Sequence, residues 1–358
     1  MTCPARLNRL RTALQESGVD GLLVTGATNR RYLSGFTGSS GYLLIDSRGG
    51  QWLATDFRYW EQARLEAPNF ELLRLATKPL ATLAQHCRER EWKSLGFEAA
   101  HCTYEFVERL KAEAFPPLQP TSGFVEGLRI QKDEVEIELI RESAALVDRV
   151  WEEVLTIIRP GLTERELALA IEFRLRSAGA SGLSFPTIVA SGPRGALAHA
   201  EPTERQLVAG EMVTVDMGAV WQGYCSDLTR TVAIGRAGKD CRQVWDIVRE
   251  AQQAALQGMQ PGMTCREADA LARDVISKAG YGDLFGHGLG HGVGLDVHEE
   301  PRLGPGTDPD LVLQEGMVVT VEPGIYRPGW GGVRLEDLVV VREDGVEVLS
   351  NALKSFNL

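Results

Sequence analysis

The nonapeptide GEMVTVDMG (residues 210–218) recurs about a hundred residues later as GMVVTVEPG (residues 316–324). Both copies are rich in valine and threonine, which favour extended strands, and each carries an acid at the same place, Asp216 or Glu322. A returning strand follows each copy with another acid, Asp227 in CSDLTRTVAIG and Glu336 in VRLEDLVVV. The chain therefore contains two related halves, and each half is predicted to form an antiparallel hairpin bearing two carboxylates.

The repeat extends beyond the hairpins. RPGLTERE (159–166) matches QPGMTCRE (260–267), and HAEP (199–202) matches HEEP (298–301). In the first of these pairs, a threonine followed three residues later by a glutamate predicts a helix N-terminus with a capping box. Two copies are too few for a stacked solenoid. We therefore predict one α+β domain with a pseudo-twofold internal repeat, in which each half supplies two helices and one hairpin and the four acids converge.

The first helix of each half has an apolar face at helical spacing. Asp133 and Glu136 predict a capping box at the first of these helices, and Asp240 with Gln243 is predicted to open its counterpart in the second half. The predicted buried faces consist of Ile140, Ala144, Val147, Trp151, Val154 and Ile158 in the first half, and of Val244, Val248, Ala251 and Ala255 in the second.

Four converging carboxylates would be costly to bury, because unpaired charges are poorly tolerated inside a protein and the acids would repel one another. A bound cation removes both difficulties. Solvent-facing acids would need no ion, but two repeat-related pairs flanked by valine, threonine and glycine argue against that alternative. Four carboxylates and one imidazole exceed the ligands of a single tetrahedral zinc and suit two bridged ions. The oxygen-rich set favours manganese, and cobalt, iron and zinc remain open.

The segment FGHGLGHGVGLDVHE (residues 285–299) contains three of the six histidines, His287, His291 and His298. Glycine lets the backbone approach a ligand closely but weakens regular structure, so this concentration of glycine indicates a site. Histidine is the commonest metal ligand and titrates nearest neutral pH. The segment therefore predicts metal binding, proton transfer or both.

Composition narrows the class of protein. The chain has 358 residues, enough for two domains, and a formal net charge of −11, which argues against binding to nucleic acid or to an anionic membrane surface. The six cysteines form no CxxC pair, so we expect them to be reduced. Neither a typical signal peptide nor a membrane-spanning segment is evident, and we expect a cytoplasmic protein.

The first part of the chain is predicted to be a small α/β domain. Strands are predicted at 22–25, 42–45 and 51–55, and helices at 59–66 and 104–112. The segment GFTGSSG (35–41) lacks the features of a phosphate-binding loop and is interpreted as a turn. We predict domains at 1–127 and 128–358.

The motifs TVDMG, SDLTRT, GHGVGLDVHE, VEPGIY and GVRLED resemble the metal-binding motifs of the pita-bread metallopeptidases. The chain is similar to the branch that contains Xaa-Pro dipeptidase (prolidase) and aminopeptidase P. This branch carries a creatinase-type N-terminal domain, which is resembled here by the segments NRRYLSGFTGSSGYLLI and TDFRYWEQA. The resemblance implies two divalent ions, bound by Asp216, Asp227, His291, Glu322 and Glu336. Asp227 and Glu336 would bridge the ions, which would activate a water molecule for attack on the peptide bond.

The resemblance also implies roles for residues around the ligands. Glu322 would act as general base, while His199 and His298 would contact the scissile peptide and stabilise the tetrahedral intermediate. Thr229 and Arg334 lie two residues from a bridging acid, so strand alternation places them on the face of the ligands. The predicted substrate-binding residues are His287, Arg302, Tyr326 and Arg334.

Two of these assignments keep alternatives. His287 lies four residues before His291, but that spacing gives no shared face on a non-helical segment, so His287 is predicted to be a pocket wall or a structural residue. Arg302 resembles an arginine that in prolidases grips the free carboxylate of a dipeptide, and a surface arginine at a turn remains the alternative.

The function implied by the resemblance is that of a dinuclear imidopeptidase, which cleaves the Xaa-Pro bond at the N-terminus of dipeptides or short proline-containing peptides. A homodimer is expected, as in relatives. The competing hypothesis is a catalytically inactive pita-bread module that binds a peptide or protein in the same cleft. Creatinase-like amidinohydrolysis would leave the four acids unexplained.

Overall fold

The protein is described by a computed structural model of residues 4–357. These residues separate into two compact units, one ending at Arg129 and the other beginning at Ile130. No helix in the described part of the chain combines the length and apolarity needed to cross a bilayer. Cys87, Cys102, Cys241 and Cys265 are free thiols, and Cys3 lies outside the described range.

The first unit contains a mixed six-stranded sheet in the order β4-β3-β2-β1-β5-β6. Its strands are β1 (Gly21–Val24), β2 (Tyr42–Asp46), β3 (Gln51–Thr55), β4 (Glu71–Arg74), β5 (Leu95–Glu98) and β6 (Leu118–Thr121). Its helices are α1 (Pro4–Glu16), α2 (Ala27–Ser34), α3 (Trp60–Glu66), α4 (Pro79–Glu89), α5 (Tyr104–Lys111) and α6 (Glu126–Arg129). The strands predicted from sequence match β1, β2 and β3, the predicted helices match α3 and α5, and GFTGSSG forms the loop between α2 and β2.

The second unit contains four longer helices and several small antiparallel sheets. The helices are α7 (Glu134–Leu155), α8 (Glu164–Ser177), α9 (Lys239–Gly258) and α10 (Cys265–Lys278). The strands of its first half are β7 (Gly182–Leu183), β8 (Ile188–Ser191), β9 (Met212–Met217), β10 (Ala219–Trp221), β11 (Tyr224–Cys225) and β12 (Leu228–Ala233). Those of its second half are β13 (Gly290–Gly292), β14 (Glu299–Leu303), β15 (Val318–Val321), β16 (Gly324–Arg327), β17 (Gly331–Arg334), β18 (Asp337–Arg342) and β19 (Gly345–Val348).

The two halves that repeat in sequence also have the same order and direction of strands. In the first half β9 lies between β8 and β12, and in the second half β15 lies between β13 and β18, with every pairing antiparallel. Each of these three-stranded arrangements follows a pair of helices in the chain. The hairpin acids thus occupy corresponding places: Asp216 and Glu322 at the end of one strand, and Asp227 and Glu336 just before the next.

Three of the four predicted helix starts are confirmed. Capping boxes join Asp133 to Glu136 at α7, Thr163 to Glu166 at α8, and Thr264 to Glu267 at α10. The prediction that Asp240 and Gln243 open α9 is wrong. That helix begins at Lys239 with Gly238 as its N-cap, so Asp240 lies inside the first turn, where its carboxylate accepts a hydrogen bond from Arg327 at 3.0 Å.

The predicted apolar faces are buried in three clusters. One packs α7 and α8 against β8, β9 and β12, and another packs α9 and α10 against the sheet of the second half. In the third, Ile140 and Ala144 of α7 pack against Val318, Leu338 and Val340 of the second half. Burying apolar surface contributes about 25 cal/mol per Å², so these clusters hold the helices on the acid-bearing hairpins, and α7 packs on strands of both halves.

Candidate metal centre and active site

The ends of the two hairpins bring four acids and one imidazole together. Asp216, Asp227, His291, Glu322 and Glu336 all line the same cavity of about 920 Å³. The His291 Nε2 atom lies 3.4 Å from a Glu322 oxygen and 3.7 Å from an Asp227 oxygen. Asp227, His291 and Glu336 can each direct a ligand atom to one common point. This donor set, four carboxylates with one imidazole, is the set predicted from the sequence.

The orientation of His291 is set by its backbone surroundings. Its Nδ1–H donates to the Gly292 carbonyl at 3.1 Å, because a carbonyl can only accept, and this fixes the tautomer that leaves a lone pair on Nε2. The backbone N–H of His291 donates to the Thr320 hydroxyl, which donates to Glu322 at 3.1 Å. One threonine therefore holds a histidine and an acid of the predicted metal site in register.

Glycine at 290 and 292 is required by close packing of neighbouring strands. A Cβ atom on Gly290 would lie 2.0 Å from the Thr320 carbonyl oxygen, and one on Gly292 would lie 2.2 Å from that of Glu300. No side chain fits at such distances, so only glycine allows the strand bearing His291 to approach both neighbours. The glycine content that suggested a site thus has a packing cause at these two positions.

Electrostatics distinguishes the site from an ordinary polar pocket. Burial, and then repulsion from Glu336, Asp216 and Glu322, raises the pKa of Asp227 well above its usual range. Burial and repulsion from Glu322 and Asp216 do the same to the pKa of Glu336. Burial raises the pKa of Glu322 to about 7, although Arg334 opposes the shift, and burial lowers the pKa of His291 to about 3.

The residues fit divalent cations. The Oδ1 atom of Asp216 is buried and accepts no hydrogen bond from any described residue, which is costly for a carboxylate oxygen unless something else binds it. The other acids are close enough to repel, and a cation would reverse the energetic sign of their proximity. The donor set is rich in oxygen and includes a neutral imidazole, which suits first-row divalent metals.

Each half of the unit supports an acid of the other half. Thr229, in the first half, donates its hydroxyl hydrogen to a Glu336 oxygen at 2.6 Å. Arg334, in the second half, donates to Asp216 at 2.6 Å and to the Thr229 hydroxyl at 3.0 Å. Both side chains are buried, so these hydrogen bonds fix the acids without solvent competition. The alternation argument for Thr229 and Arg334 therefore found two residues that contact the acids.

His287 does not face the acids as a ligand. Its Nδ1–H donates to the Gly288 carbonyl at 2.7 Å, and its Nε2 accepts from the Tyr326 hydroxyl at 2.9 Å. Arg334 donates to the same hydroxyl at 2.9 Å. Burial lowers the pKa of His287 to about 4, so the ring is neutral at pH 7. Both ring nitrogens are thus used in a chain that runs from Arg334 through Tyr326 to His287 along the cavity wall.

The remaining predicted residues lie on the open side of the cavity. His199, His298 and Arg302 all line it, and their side chains are exposed. The ring of His298 lies 4.3 Å from that of His291 between centroids. No acid within residues 4–357 forms an ion pair with the Arg302 guanidinium, so Arg302 is available to an anionic group entering the cavity. These three side chains therefore face the same cavity as the buried acids and can contact a molecule bound in it.

Sequence reasoning missed the residues that anchor the glycine-rich segment. Asp269 in α10 accepts from the Leu289 backbone N–H at 2.9 Å and pairs with Arg273 at 2.6 Å. Arg273 in turn donates to the carbonyl oxygens of Phe285 and His287. The spacing of four residues between Asp269 and Arg273 was a usable signal for a pair on one helix face. It gave no indication that the pair would bind a loop.

A buried ion pair anchors the other end of the same segment. Lys132 donates to a Glu299 oxygen at 3.2 Å, and the two side chains are only 1% and 7% exposed. The second Glu299 oxygen accepts from the Asp296 backbone N–H at 3.0 Å. Glu299 directly follows His298, so this pair holds the backbone beside a predicted catalytic histidine. Nothing in the sequence pattern joins positions 132 and 299.

A second acid and histidine group, in the first unit, has a structural explanation. Glu98, His101 and Glu126 lie close enough for a metal, but one Glu98 oxygen accepts from the backbone N–H groups of Thr25 and Gly26. Asn29 donates to both Glu98 and Glu126, and His101 pairs with Glu126 at 2.8 Å. These hydrogen bonds satisfy the group at the start of α2 without an ion.

Comparison with protein families agrees with this geometry. The model of metallopeptidase family M24 matches residues 138–343, and the creatinase/prolidase N-terminal domain model matches residues 6–131. The chain belongs to metallopeptidase family M24 and is a metal-dependent hydrolase with the pita-bread fold. The predicted family, fold class and enzyme class are confirmed.

Individual relatives cover nearly the whole chain. An uncharacterised peptidase of Bacillus subtilis is 41% identical over 350 residues, which are 98% of each chain. The solved structure of an Xaa-Pro dipeptidase from Bacillus anthracis has a TM-score of 0.96 and 43% identity, with 99% of each chain covered. An X-Pro aminopeptidase from Thermotoga maritima has a TM-score of 0.89 and 36% identity, with 95% of this chain and 98% of that chain covered. The two solved relatives carry different activity names.

Proposed function

We propose that the chain hydrolyses the Xaa-Pro bond at the N-terminus of dipeptides or short peptides, using two bound divalent ions. The observation that carries the proposal is the convergence of four carboxylates and the His291 imidazole at the wall of one cavity. When bound there, divalent ions would supply Lewis-acid polarisation and a water molecule acidified for attack. The relatives named as Xaa-Pro dipeptidase and X-Pro aminopeptidase support the choice of bond.

In this proposal the ligands divide by their place in the hairpins. Asp227 and Glu336, the two most enclosed acids, would bridge the ions. Asp216 would serve one ion, and its unpartnered buried oxygen supports that role. His291 and Glu322, which lie 3.4 Å apart, would serve the other ion. Thr229 and Arg334 would orient Glu336 and Asp216 through the hydrogen bonds that they donate.

The proton transfers are proposed for side chains at the cavity surface. Glu322 would accept the proton of the attacking water at a carboxylate oxygen and deliver it to the departing prolyl nitrogen. His199 and His298 line the cavity from the two halves, so they would donate hydrogen bonds to the scissile peptide as negative charge develops on its oxygen. His287, Tyr326 and Arg334 would form the wall against which the substrate lies.

Arg302 favours the Xaa-Pro dipeptidase over the Xaa-Pro aminopeptidase. Its exposed guanidinium lines the cavity and forms no ion pair with an acid among residues 4–357. A guanidinium binds a free carboxylate with paired hydrogen bonds, which the amide of a longer peptide cannot reproduce. An aminopeptidase that accepts longer peptides is the second candidate, supported by a cavity of about 920 Å³, which is large for a dipeptide.

The finer assignments belong to the same proposal. We propose manganese as the working metal because carboxylate oxygens dominate the donor set. We also propose a cytoplasmic homodimer, with residues 1–127 as the creatinase-type N-terminal domain and residues 128–358 as the catalytic domain.

The test compares hydrolysis of an Xaa-Pro dipeptide, an Xaa-Pro-Xaa tripeptide and a matched Xaa-Ala dipeptide by the manganese-loaded protein. We expect cleavage of the first peptide to be fastest and cleavage of the Xaa-Ala control to be negligible. Arg302→Ala should reduce the kcat/KM for the dipeptide by about tenfold to a hundredfold, the scale of a lost charge-assisted hydrogen-bond pair, and leave the tripeptide less affected. Equal losses on both substrates, or no loss on either, would remove the argument from Arg302 for the dipeptidase.

The competing binding module makes a different prediction. If the cleft only binds a peptide or protein, the purified chain should bind no stoichiometric metal and cleave none of the three peptides. Measured metal content near two ions per chain, with Xaa-Pro hydrolysis that a chelator abolishes and metal restores, would exclude the module.

A further inference from the structure

One buried carboxylate joins the two ends of the segment that carries His199. Glu164, in the first turn of α8, is completely buried. One of its oxygens accepts from the Ser191 backbone N–H at 2.9 Å and from the Ser191 hydroxyl at 2.8 Å. The other oxygen accepts from Arg194 at 3.0 Å, from the Thr203 backbone N–H at 3.1 Å and from the Thr203 hydroxyl at 2.7 Å. Ser191 and Thr203 flank the segment 192–202, so Glu164 closes it into a loop.

The loop contacts the proposed active site directly. The carbonyl oxygen of Ala198 accepts from Arg334 at 3.2 Å, and Arg334 also donates to Asp216. At its base the loop packs backbone to backbone on β17, where a Cβ atom on Gly332 would lie 2.0 Å from the Gly195 carbonyl oxygen. His199 is the next residue after Ala198 and lines the cavity. A shift of this loop would therefore move His199 relative to the acids.

The hydrogen bonds to Glu164 require a carboxylate. Five donors converge on its two oxygens, and an ionised carboxyl group, with about four lone-pair sites and no donor of its own, is the form that comes nearest to satisfying them. A glutamine side chain has the same shape but only one acceptor oxygen. Its NH₂ group would replace the other oxygen and would face hydrogen-bond donors that it cannot satisfy. The charge is accommodated by Arg194 and by the N-terminal end of the 14-residue helix α8.

Helix capping does not account for Glu164. The N-cap of α8 is Thr163, and its capping-box partner is Glu166, whose carboxylate accepts from the Thr163 backbone N–H at 2.8 Å. Glu164 lies between these two residues and directs its carboxylate away from the helix end to residues 27 to 39 positions away in the sequence. The same turn therefore contains one glutamate that caps the helix and one that fastens a distant loop.

We propose that Glu164 is a positioning residue, which holds the His199 loop in the geometry that the reaction needs. The inference rests on the proposed function, because it requires His199 to act on the substrate. The hydrogen bonds of the Glu164 carboxylate come from Ser191, Arg194 and Thr203, and none joins it to the acids of the site. Its effect passes through Ser191, Arg194 and Thr203 to the loop and then to His199.

The experiment is a double-mutant cycle with Glu164→Gln and His199→Ala in the metal-loaded full-length chain. Glu164→Gln should lower kcat for an Xaa-Pro substrate by about tenfold to a hundredfold, with metal content unchanged. In the His199→Ala background the same substitution should lower kcat by less than about threefold. The variant has no histidine at position 199, so a shift of the loop has no imidazole to misplace. A merely structural role would give the same loss in both backgrounds, and that result would overturn the inference.

The matched control is Glu166→Gln in the same turn of α8. It weakens a capping box, so we expect a small loss of thermal stability without a change in kcat. If Glu164→Gln does not fold, Thr203→Val removes one hydroxyl donor to the carboxylate and should give a smaller loss of kcat that also vanishes in the His199→Ala background. An unchanged kcat in Thr203→Val, or an equal loss in both backgrounds, would count against the inference.

Different results would contradict the proposed function and the proposed role of Glu164. If the wild-type chain does not cleave an Xaa-Pro peptide, the proposed function is wrong and the inference is lost with it. If the wild-type chain is active and the cycle is additive, only the role of Glu164 is wrong.

Discussion

The two halves of the unit formed by residues 130–357 repeat a backbone but differ in the chemistry that they place on it. Ala190 of β8 pairs with Thr214 of β9. In the second half Gly292 pairs with Val319, which puts His291 beside Thr320, the residue that matches Thr214 in the nonapeptide repeat. The position that holds alanine in the first half therefore holds the imidazole of the site in the second. A repeated hairpin supplies paired acids, whereas the single histidine depends on one half alone.

The halves also differ in how they fasten their cavity-lining histidines. The His199 loop is held by Glu164, which comes from a helix outside the loop and is paired with the partly exposed Arg194. The glycine-rich segment that carries His298 (residues 285–299) is held at its end by Glu299, which lies within the segment and is paired with the buried Lys132. Equivalent histidines are thus positioned by non-equivalent acids. The repeat thus preserves the positions of His199 and His298 but not the acids that hold the backbone beside them.

The largest expected effect tests whether the two halves contribute equally to the metal site. Asp227→Ala and Glu336→Ala should each abolish measurable Xaa-Pro hydrolysis and lower the metal content below that of the wild type, because each removes a proposed bridging ligand. Metal analysis and initial-rate assays on the same preparations would measure both effects. If one variant keeps activity close to that of the wild type, the acids of the two hairpins do not act as a matched pair.

The next effect tests the repeat-related histidines. His199→Ala and His298→Ala should each reduce kcat by about two to four orders of magnitude with metal retained, as expected for a lost proton-transfer or oxyanion-stabilising group. Steady-state kinetics separates kcat from KM, and His287→Ala is the control that should retain the metal. A loss confined to KM would make the pair simple binding residues, and loss of metal in His287→Ala would contradict the choice of His291.

A stability measurement would sharpen the contrast between the two fastening acids. Lys132→Met leaves the Glu299 carboxylate buried without its cation and should lower the free energy of unfolding by about 3–5 kcal/mol. Arg194→Met should cost less, because Glu164 keeps four other donors and its cation is partly exposed. Denaturant unfolding of the two variants, with Lys132→Met/Glu299→Leu as a control that removes both charges, would measure the difference. Equal losses would show that the two arrangements are energetically alike.

The smallest effect concerns a feature that the halves share. Thr163→Ala and Thr264→Ala each remove the N-cap of a repeat-related helix and should each lower the free energy of unfolding by about 1 kcal/mol. Replacement of either threonine by serine should preserve stability, because serine keeps the hydroxyl that accepts from the backbone N–H. Clearly different losses in thermal unfolding would show that the surroundings of α8 and α10 have diverged even where their caps have not.

Much of the site could be predicted because its acids follow the repeat. Matching strands made Asp216 and Glu322 comparable, and strand alternation counted from Asp227 and Glu336 placed Thr229 and Arg334 on the face of the acids. Capping boxes were equally visible, because their partners lie three residues apart. Asp240 failed as a cap because helix boundaries depend on one or two residues of backbone geometry that composition does not determine.

The supporting residues could not be predicted for a different reason. Glu164 is an ordinary first-turn acid by sequence, and its partners lie 27 to 39 residues away without any periodic relation to it. Lys132 and Glu299 are 167 residues apart. The chain from Arg334 through Tyr326 to His287 also depends on where loops turn. Such contacts arise from tertiary packing, and no local pattern encodes them.

The crowded acids also couple the site to the acidity of the solution. Burial raises the folded-state pKa of Asp227, Glu322 and Glu336, with Glu322 at about 7, whereas carboxyl groups in an unfolded chain titrate near pH 4. The stability that these groups give the metal-free protein is therefore complete below about pH 4 and is lost as the pH rises through the folded-state values. Binding of a cation requires the ionised acids, so it must release protons to the buffer. Metal affinity should thus increase over the same pH interval in which the metal-free fold weakens, and calorimetric titration in buffers of different ionisation enthalpy would count the protons released.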